Sequence, residues 1–224
     1  MKLWHITDTH LPSSGGEVAV AHVLAQMAPL DVVVVTGDIT DDGTADQYDL
    51  AERLLWPLRG RLLLTPGNHD YGPLGLNCEP AAVTRYRELA RDLGSPAPGT
   101  RWIVGRWLLL GLDSCRQTEA HLARGHLGSQ QLDRLKETLK FADRAYLRTI
   151  VALHHAAQDS DPTLLLEDGD EFLKLVWGKA DMVLCGHQHG AALEWTAPRG
   201  VATRMRRGQD AVGGGVASVW SVEI

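Results

Sequence analysis

Cysteine is scarce in this sequence, and its three residues stand far apart. Cys78, Cys115 and Cys185 are odd in number, and no two of them have the C-x-x-C spacing. This arrangement argues against a disulfide framework and against a structural zinc ribbon. Free thiols are typical of a reducing compartment, so we expect a cytoplasmic protein.

The sequence also lacks an excess of positive charge and a long apolar run. Its formal net charge at pH 7 is −6, so we expect no nucleic-acid partner and no general attraction to anionic membranes. No apolar run approaches the roughly 18 residues that a membrane span needs, and we expect no secretory leader. The 224 residues suit a single domain spanning 1–224.

Short apolar runs alternate with helical patterns through the first half of the chain. The predicted strands cover residues 3–7, 31–36, 61–64, 102–112 as a hairpin, 149–153, 181–185, 191–196, 202–206 and 216–223. The predicted helices cover residues 17–27, 44–58, 80–93, 130–142 and 171–177, and Thr44 with Gln47 fits a capping box. The early alternation predicts parallel strands with crossover helices, whereas the late strands predict antiparallel pairing. We therefore predict an α/β protein with two packed mixed sheets and helices outside.

Residues with metal-binding side chains follow five of these predicted strands. They are Asp8 and His10, Asp38, Asn68 and His69, His154 and His155, and His187 and His189. The carboxyl ends of strands in an open α/β sheet meet at one crevice, where ligands bind. Each group by itself is typical of a turn or of a solvated surface. Their joint occurrence at five strand ends predicts a metal centre.

The donor types indicate which metals this centre would bind. Oxygen and nitrogen ligands without thiolate suit Mn, Fe, Zn, Co or Ni better than Mg or Ca. Seven ligands, two aspartates and five neutral side chains, are too many for one ion and suit two. Two dications, two aspartates and a bridging hydroxide leave a net charge of about +1, which favours an anionic substrate such as a phosphodiester.

The order of these motifs along the chain resembles the signature of calcineurin-like metallophosphoesterases. The motifs are Asp8-x-His10, Gly37-Asp38, Gly67-Asn68-His69-Asp70, His154-His155 and Gly186-His187-Gln188-His189. The resemblance implies a four-layer α/β/β/α sandwich, in which helices flank two mixed β-sheets. It implies one ion held by Asp8, His10, Asp38 and His189, and a second held by Asp38, Asn68, His154 and His187, so that Asp38 bridges them.

The resemblance also implies catalytic roles for His69 and Asp41. His69 would face the substrate, where it stabilises the phosphoryl charge or protonates the leaving oxygen after a metal-bridging hydroxide attacks. Asp41 matches the partner aspartate that some members provide for this histidine, although acids are equally common ahead of a helix. We expect Asp70 to brace the turn or to hold a ring nitrogen.

Within that family, the pattern most resembles class III cyclic-nucleotide and glycerophosphodiester phosphodiesterases. The chain departs from that subgroup at Ala156-Ala157, where two prolines are usual. The resemblance implies an enzyme that hydrolyses small phosphodiesters, cyclic nucleotides among them. A phosphomonoesterase, a nucleotide pyrophosphatase and a non-catalytic scaffold remain alternatives. Pairing of two copies through the predicted strand 216–223 also remains open.

Overall fold

The computed structural model describes residues 1–115, 123–157, 163–187, 204–206 and 218–224. Its strands are β1 (Lys2–Thr7), β2 (Val32–Thr36), β3 (Leu62–Thr65), β4 (Arg101–Val104), β5 (Trp107–Gly111), β6 (Arg148–Ala152), β7 (Met182–Leu184), β8 (Arg204–Arg206) and β9 (Ser218–Glu223). Its α-helices are α1 (Ser14–Gln26), α2 (Ala45–Leu55), α3 (Pro80–Asp92), α4 (Gly128–Arg144) and α5 (Gly169–Val176). The predicted strand 191–196 lies outside the described residues.

The first sheet has the strand order β3-β2-β1-β9. The strands β1, β2 and β3 run parallel, and β9 joins them antiparallel to β1. Parallel neighbours need crossover connections, and α1 and α2 provide them. The predicted C-terminal strand therefore pairs within its own chain, where it closes one side of β1.

The second sheet has the strand order β4-β5-β6-β7-β8. The hairpin of β4 and β5 is antiparallel, as predicted, and β5, β6 and β7 run parallel. The prediction that the late strands pair antiparallel is confirmed for β9 and wrong for β8, which pairs with β7 in parallel. A strand of three residues with glycines around it carries no sequence signal for its direction.

Side chains alternate between two sides of each sheet and so build three apolar layers. In β2, Val33 and Val35 pack with α1, α2 and α3, whereas Val32 and Val34 face the second sheet. The outer side of β5, β6 and β7 packs with α4 and α5. This confirms the prediction of two packed mixed sheets flanked by helices. Within the described residues, no helix is long and apolar enough to cross a membrane.

The start of α2 differs from the predicted capping box. Thr44 makes no side-chain hydrogen bond to the helix end. The side chain of Gln47 instead accepts hydrogen bonds from the backbone N–H of Asp41 at 3.1 Å and of Asp42 at 2.7 Å. Gln47 thereby fixes the loop that follows β2, which carries several of the predicted site residues.

Candidate metal centre

The loops that follow β1, β2, β3, β6 and β7 meet at one place between the two sheets. The backbone N–H of His10 donates to the carbonyl of Asp38 at 2.9 Å. Further along, the backbone N–H of His69 donates to Asp38 Oδ1 at 3.0 Å, and that of His187 donates to Asp8 Oδ1 at 3.0 Å. The carboxyl ends of strands from both sheets therefore converge, as their position in the sequence predicts.

Three predicted ligands converge on a ring nitrogen of a fourth. His154 Nε2 lies 3.1 Å from Asn68 Oδ1, 3.2 Å from His187 Nδ1 and 3.3 Å from Asp38 Oδ2. Asn68, His154 and Asp38 are buried, so the two nitrogens and two oxygens face one another in a space that is largely shielded from water. A mixed set of imidazole, amide and carboxylate donors suits a transition-metal ion.

A second group of donors lies on the other side of Asp38. His10 Nε2 is 3.7 Å from Asp38 Oδ2, and atoms of His10, Asp38 and His69 lie within 4.8 Å of one another. One carboxylate oxygen each of Asp8 and Asp38 and one ring nitrogen of His154 also lie within 4.8 Å of one another. The Asp38 carboxylate is therefore close to both groups of donors, the one around His154 and the one that includes His10. His189, the remaining predicted ligand, lies outside the described residues.

Backbone carbonyls determine which atom of three of these ligands faces the centre. His154 Nδ1 donates to the carbonyl of Thr36 at 2.7 Å, which leaves Nε2 as the inward atom. His187 Nε2 donates to the carbonyl of Ala123 at 3.0 Å, which leaves Nδ1. Such partners fix the tautomer and orientation of a ligating ring. The sequence could not reveal them, because every residue type carries the same carbonyl.

The third such ligand is Asn68, which is held by the loop after it. Its Nδ2 donates to the carbonyl of Gly75 at 3.2 Å, so its Oδ1 turns toward His154. A Cβ at Gly75 would overlap Asn68 Nδ2 and lie 2.7 Å from His69 Cδ2, and its φ is +64°. Only glycine allows the backbone at position 75 to approach Asn68 and His69 so closely. Gly75 is therefore part of the support for Asn68.

The backbone is strained at several of the predicted ligands. Asp8, His10, Asp38 and His187 all have positive φ angles, of 55°, 41°, 49° and 70°. A residue with a Cβ costs roughly 1–2 kcal/mol in this region, although aspartate tolerates it better than most. Strain concentrated on these residues is typical of a functional site that the surrounding structure holds in place.

The electrostatics of the centre favour a bound cation. Burial by itself would raise the pKa of Asp38, but the attraction of His154, His10 and His69 outweighs it and lowers that pKa. Burial would lower the pKa of His154, yet Asp38 and Asp8 raise it to about 9. At neutral pH, without a metal, the ring of His154 is therefore protonated on both nitrogens and carries a positive charge next to two buried carboxylates. A dication would supply that positive charge and leave His154 neutral, as a ligand must be.

His187 already has the neutral form that metal binding requires. Burial and the nearby charge of His154 lower its pKa to about 4, so the ring is uncharged at neutral pH. Two buried carboxylates, neutral imidazoles and an amide oxygen are a donor set that fits transition-metal ions. The residues present therefore fit the metal that the sequence predicts.

His69 lies beside this centre with its ring fixed by Asp41. Its Nδ1 donates to the backbone carbonyl of Asp41 at 2.7 Å, whereas the Asp41 carboxylate is 3.8 Å from that nitrogen. The carboxylate makes a shorter contact, of 3.2 Å, to Nδ1 of His10. The sequence predicts Asp41 as the partner of His69, and the structure adds that the backbone makes the closer contact. The contact with Asp41 occupies Nδ1, and the role of Nε2 remains the one that the sequence predicts.

Asp70 braces the turn, one of the two roles expected for it. Its carboxylate accepts from the backbone N–H and the hydroxyl of Thr40, at 2.9 and 3.1 Å, and from the N–H of Gly67 at 2.9 Å. Burial, and then the charge of Asp38, raises its pKa to about 6. Asp70 thus ties the loop after β2 to the loop after β3.

His155 supports the centre from the second sheet. The hydroxyl of Ser114 lies 2.8 Å from His155 Nδ1, and both residues are fully buried. The ring of His155 packs 4.6 Å from the ring of His187. Ser114 has no recognisable pattern around it, so sequence reasoning missed its contact. Ala156 and Ala157 are buried in the apolar layer of the second sheet.

Comparison with known proteins identifies relatives across most of the chain. The sequence pattern of the calcineurin-like phosphoesterases matches residues 1–191. Glycerophosphodiester phosphodiesterase GpdQ of Enterobacter lignolyticus is 32% identical over 225 residues, which cover 91% of this chain and 76% of that protein. The 3′,5′-cyclic adenosine monophosphate phosphodiesterase CpdA of Escherichia coli K12 is 30% identical over 224 residues, which cover 91% and 75%.

Solved structures share the fold at lower identity. A dimetal phosphatase from Danio rerio superposes with a TM-score of 0.69 at 16% identity, over 99% of this chain and 91% of that one. The protein TT1561 of Thermus thermophilus gives a TM-score of 0.64 at 14% identity, over 94% and 89%. From its sequence relatives and the matched family pattern, this chain belongs to the calcineurin-like phosphoesterase family and is a metal-dependent phosphoric ester hydrolase.

Proposed function

We propose that this protein is a dinuclear metal-dependent phosphodiesterase that hydrolyses small phosphodiesters, a class that includes cyclic nucleotides. The observation that carries this proposal is the convergence of Asn68, His187 and Asp38 within 3.3 Å of His154 Nε2. A second group of donors, which includes His10, lies on the opposite side of Asp38. Buried donors on both sides of one carboxylate support a centre for two ions.

The residues divide into two ligand sets in this proposal. Asp8, His10, Asp38 and His189 would hold one transition-metal ion, and Asp38, Asn68, His154 and His187 would hold the other. Mn, Fe, Zn, Co and Ni all suit these donors. When bound, two such ions activate water as the nucleophile and offset the charge of the phosphoryl group. The buried, prearranged ligands keep that charge in a fixed position.

His69 would act on the leaving oxygen of the ester. Its ring is fixed through Nδ1 by the carbonyl of Asp41, so only Nε2 can reach a substrate. The carboxylate of Asp41 lies 3.8 Å from the same Nδ1 atom. A protonated His69 can donate from Nε2 to the oxygen that leaves, which lowers the barrier to P–O cleavage.

The preference for diesters over monoesters rests on the relatives, because the positive charge of the centre favours a phosphate ester of either kind. An amide at position 68 leaves the centre more positive than an aspartate there would. The relatives at 30% identity or more are named for glycerophosphodiesters and for 3′,5′-cyclic AMP. The chain is shorter than both, since it spans about three quarters of their lengths. We therefore propose the substrate class, a small phosphodiester, and no single compound.

Steady-state hydrolysis with added Mn²⁺ tests this proposal. We expect a higher kcat/KM for bis(p-nitrophenyl) phosphate than for p-nitrophenyl phosphate, and loss of both activities after treatment with a chelator. Cleavage of 2′,3′- or 3′,5′-cyclic AMP in the same assay would refine the substrate class. A higher kcat/KM for the monoester would favour a phosphomonoesterase, and metal-loaded protein without turnover would favour a scaffold.

A further inference from the structure

The segment of residues 72–76 lies directly against the catalytic side of the centre. It follows the 3-10 turn His69–Tyr71. A Cβ placed on Gly75 would lie 3.0 Å from His69 Nε2, the ring atom proposed to act on the leaving oxygen. The carbonyl of Gly75 also accepts from the amide of Asn68. Gly75 therefore lies in close contact with both the Asn68 amide and the His69 ring.

Leu74, the residue before Gly75, is exposed and strained. Its relative exposure is 69%, which is high for a leucine, and Leu76 nearby is 46% exposed. Its φ of 56° and ψ of 11° lie in the left-handed region, which leucine rarely adopts. Glycine or asparagine would take this conformation more easily and would not expose an apolar side chain. The leucine thus carries two costs, and it belongs to none of the three apolar layers described above.

The conformation of Leu74 is held by hydrogen bonds from the neighbouring loop. Its backbone N–H donates to Asp42 Oδ1 at 3.1 Å. The backbone N–H of Asp42 in turn donates to Gln47 Oε1 at 2.7 Å, so the carboxylate has a fixed support. At the other end of the segment, Glu79 N–H donates to the carbonyl of Tyr71 at 2.7 Å. The backbone of Leu74 is therefore held in place one residue before Gly75, which contacts His69.

We infer that Leu74 is a specificity-determining residue that contacts the leaving group of the substrate. The leaving oxygen must reach His69 Nε2, so the group bonded to it comes close to Gly75, the residue that follows Leu74. An exposed leucine favours a leaving group with an apolar face, such as an aryl or nucleoside group, over a polyol or an amino alcohol. This inference rests on the proposed phosphodiesterase function and specifies its substrate class.

Substitution of Leu74 tests the inference with two diesters. Leu74→Asn removes the apolar side chain and keeps a residue that tolerates the left-handed backbone. We expect kcat/KM for bis(p-nitrophenyl) phosphate to fall roughly 5- to 20-fold, and kcat/KM for glycerophosphoethanolamine to change less than about twofold. Leu74→Met, which keeps an apolar contact, should retain most of the activity on the aryl diester.

Leu30→Asn is the matched control, because Leu30 is 78% exposed. It lies just before β2, at the amino end of that strand, whereas the centre lies beyond the carboxyl end. This variant should leave kcat/KM unchanged for both diesters. An equal fall on both substrates in Leu74→Asn, or no fall on either, would overturn the inference and leave the phosphodiesterase function standing. Failure of the wild-type protein to cleave either diester would overturn both.

Discussion

Replacing His69 with alanine is expected to reduce kcat by roughly 10²- to 10⁴-fold, the range typical of a general acid. The ring stands beside the ligands, with Nδ1 bound to the carbonyl of Asp41 and Nε2 left for the leaving oxygen. The loss should be greatest for diesters with poor leaving groups, because these depend most on protonation. Steady-state kinetics with Mn²⁺ on an alkyl and an aryl diester would measure it.

The metal content of the His69→Ala protein distinguishes a catalytic role from a ligand role. We expect the variant to bind as much Mn²⁺ as the wild type, measured by calorimetric titration. His22→Ala is a suitable control, since His22 is an exposed histidine on α1, remote from the centre. A decrease in kcat of less than tenfold, or a loss of bound metal, would contradict the role proposed for His69.

Replacing Asn68 with alanine is expected to weaken metal binding by at least roughly 100-fold, with a matching loss of activity. The amide oxygen of Asn68 lies 3.1 Å from His154 Nε2, within the buried set of four donors. Alanine removes that oxygen and leaves nothing in its place. Calorimetric titration of the metal-free protein with Mn²⁺ would show one tight site fewer than in the wild type.

Asn77→Ala provides the matched control for this experiment. Asn77 is an exposed asparagine in the same connection between β3 and α3, nine residues further along. Its replacement should leave both the number and the affinity of the sites unchanged. If Asn68→Ala bound two Mn²⁺ ions with wild-type affinity, the ligand assignment of Asn68 would be wrong.

The sequence is sufficient to predict which loops form the site. Asp8, Asp38, Asn68, His154 and His187 all follow strands, and parallel strands bring their carboxyl ends to one edge. Runs such as 31–36 reveal the strands themselves through continuous apolar residues. Fold class and site location therefore follow from periodicity and from the position of polar residues after each strand.

The sequence does not reveal how the ligands are oriented. The carbonyls of Thr36, Ala123 and Gly75 decide which atoms of His154, His187 and Asn68 face the centre. A carbonyl belongs to the backbone and leaves no trace in residue identity. For the same reason, the sequence points to Asp41 through its carboxylate, although its carbonyl makes the closer contact with His69.

Anomalous X-ray scattering from crystals grown with Mn²⁺ would show how many ions the protein binds and where they lie. A dinuclear centre should give two peaks about 3.5–4 Å apart on either side of Asp38. One peak should lie next to His10, and the other should lie between Asn68, His154 and His187. A single peak, or peaks that make no contact with Asp38, would contradict the dinuclear centre.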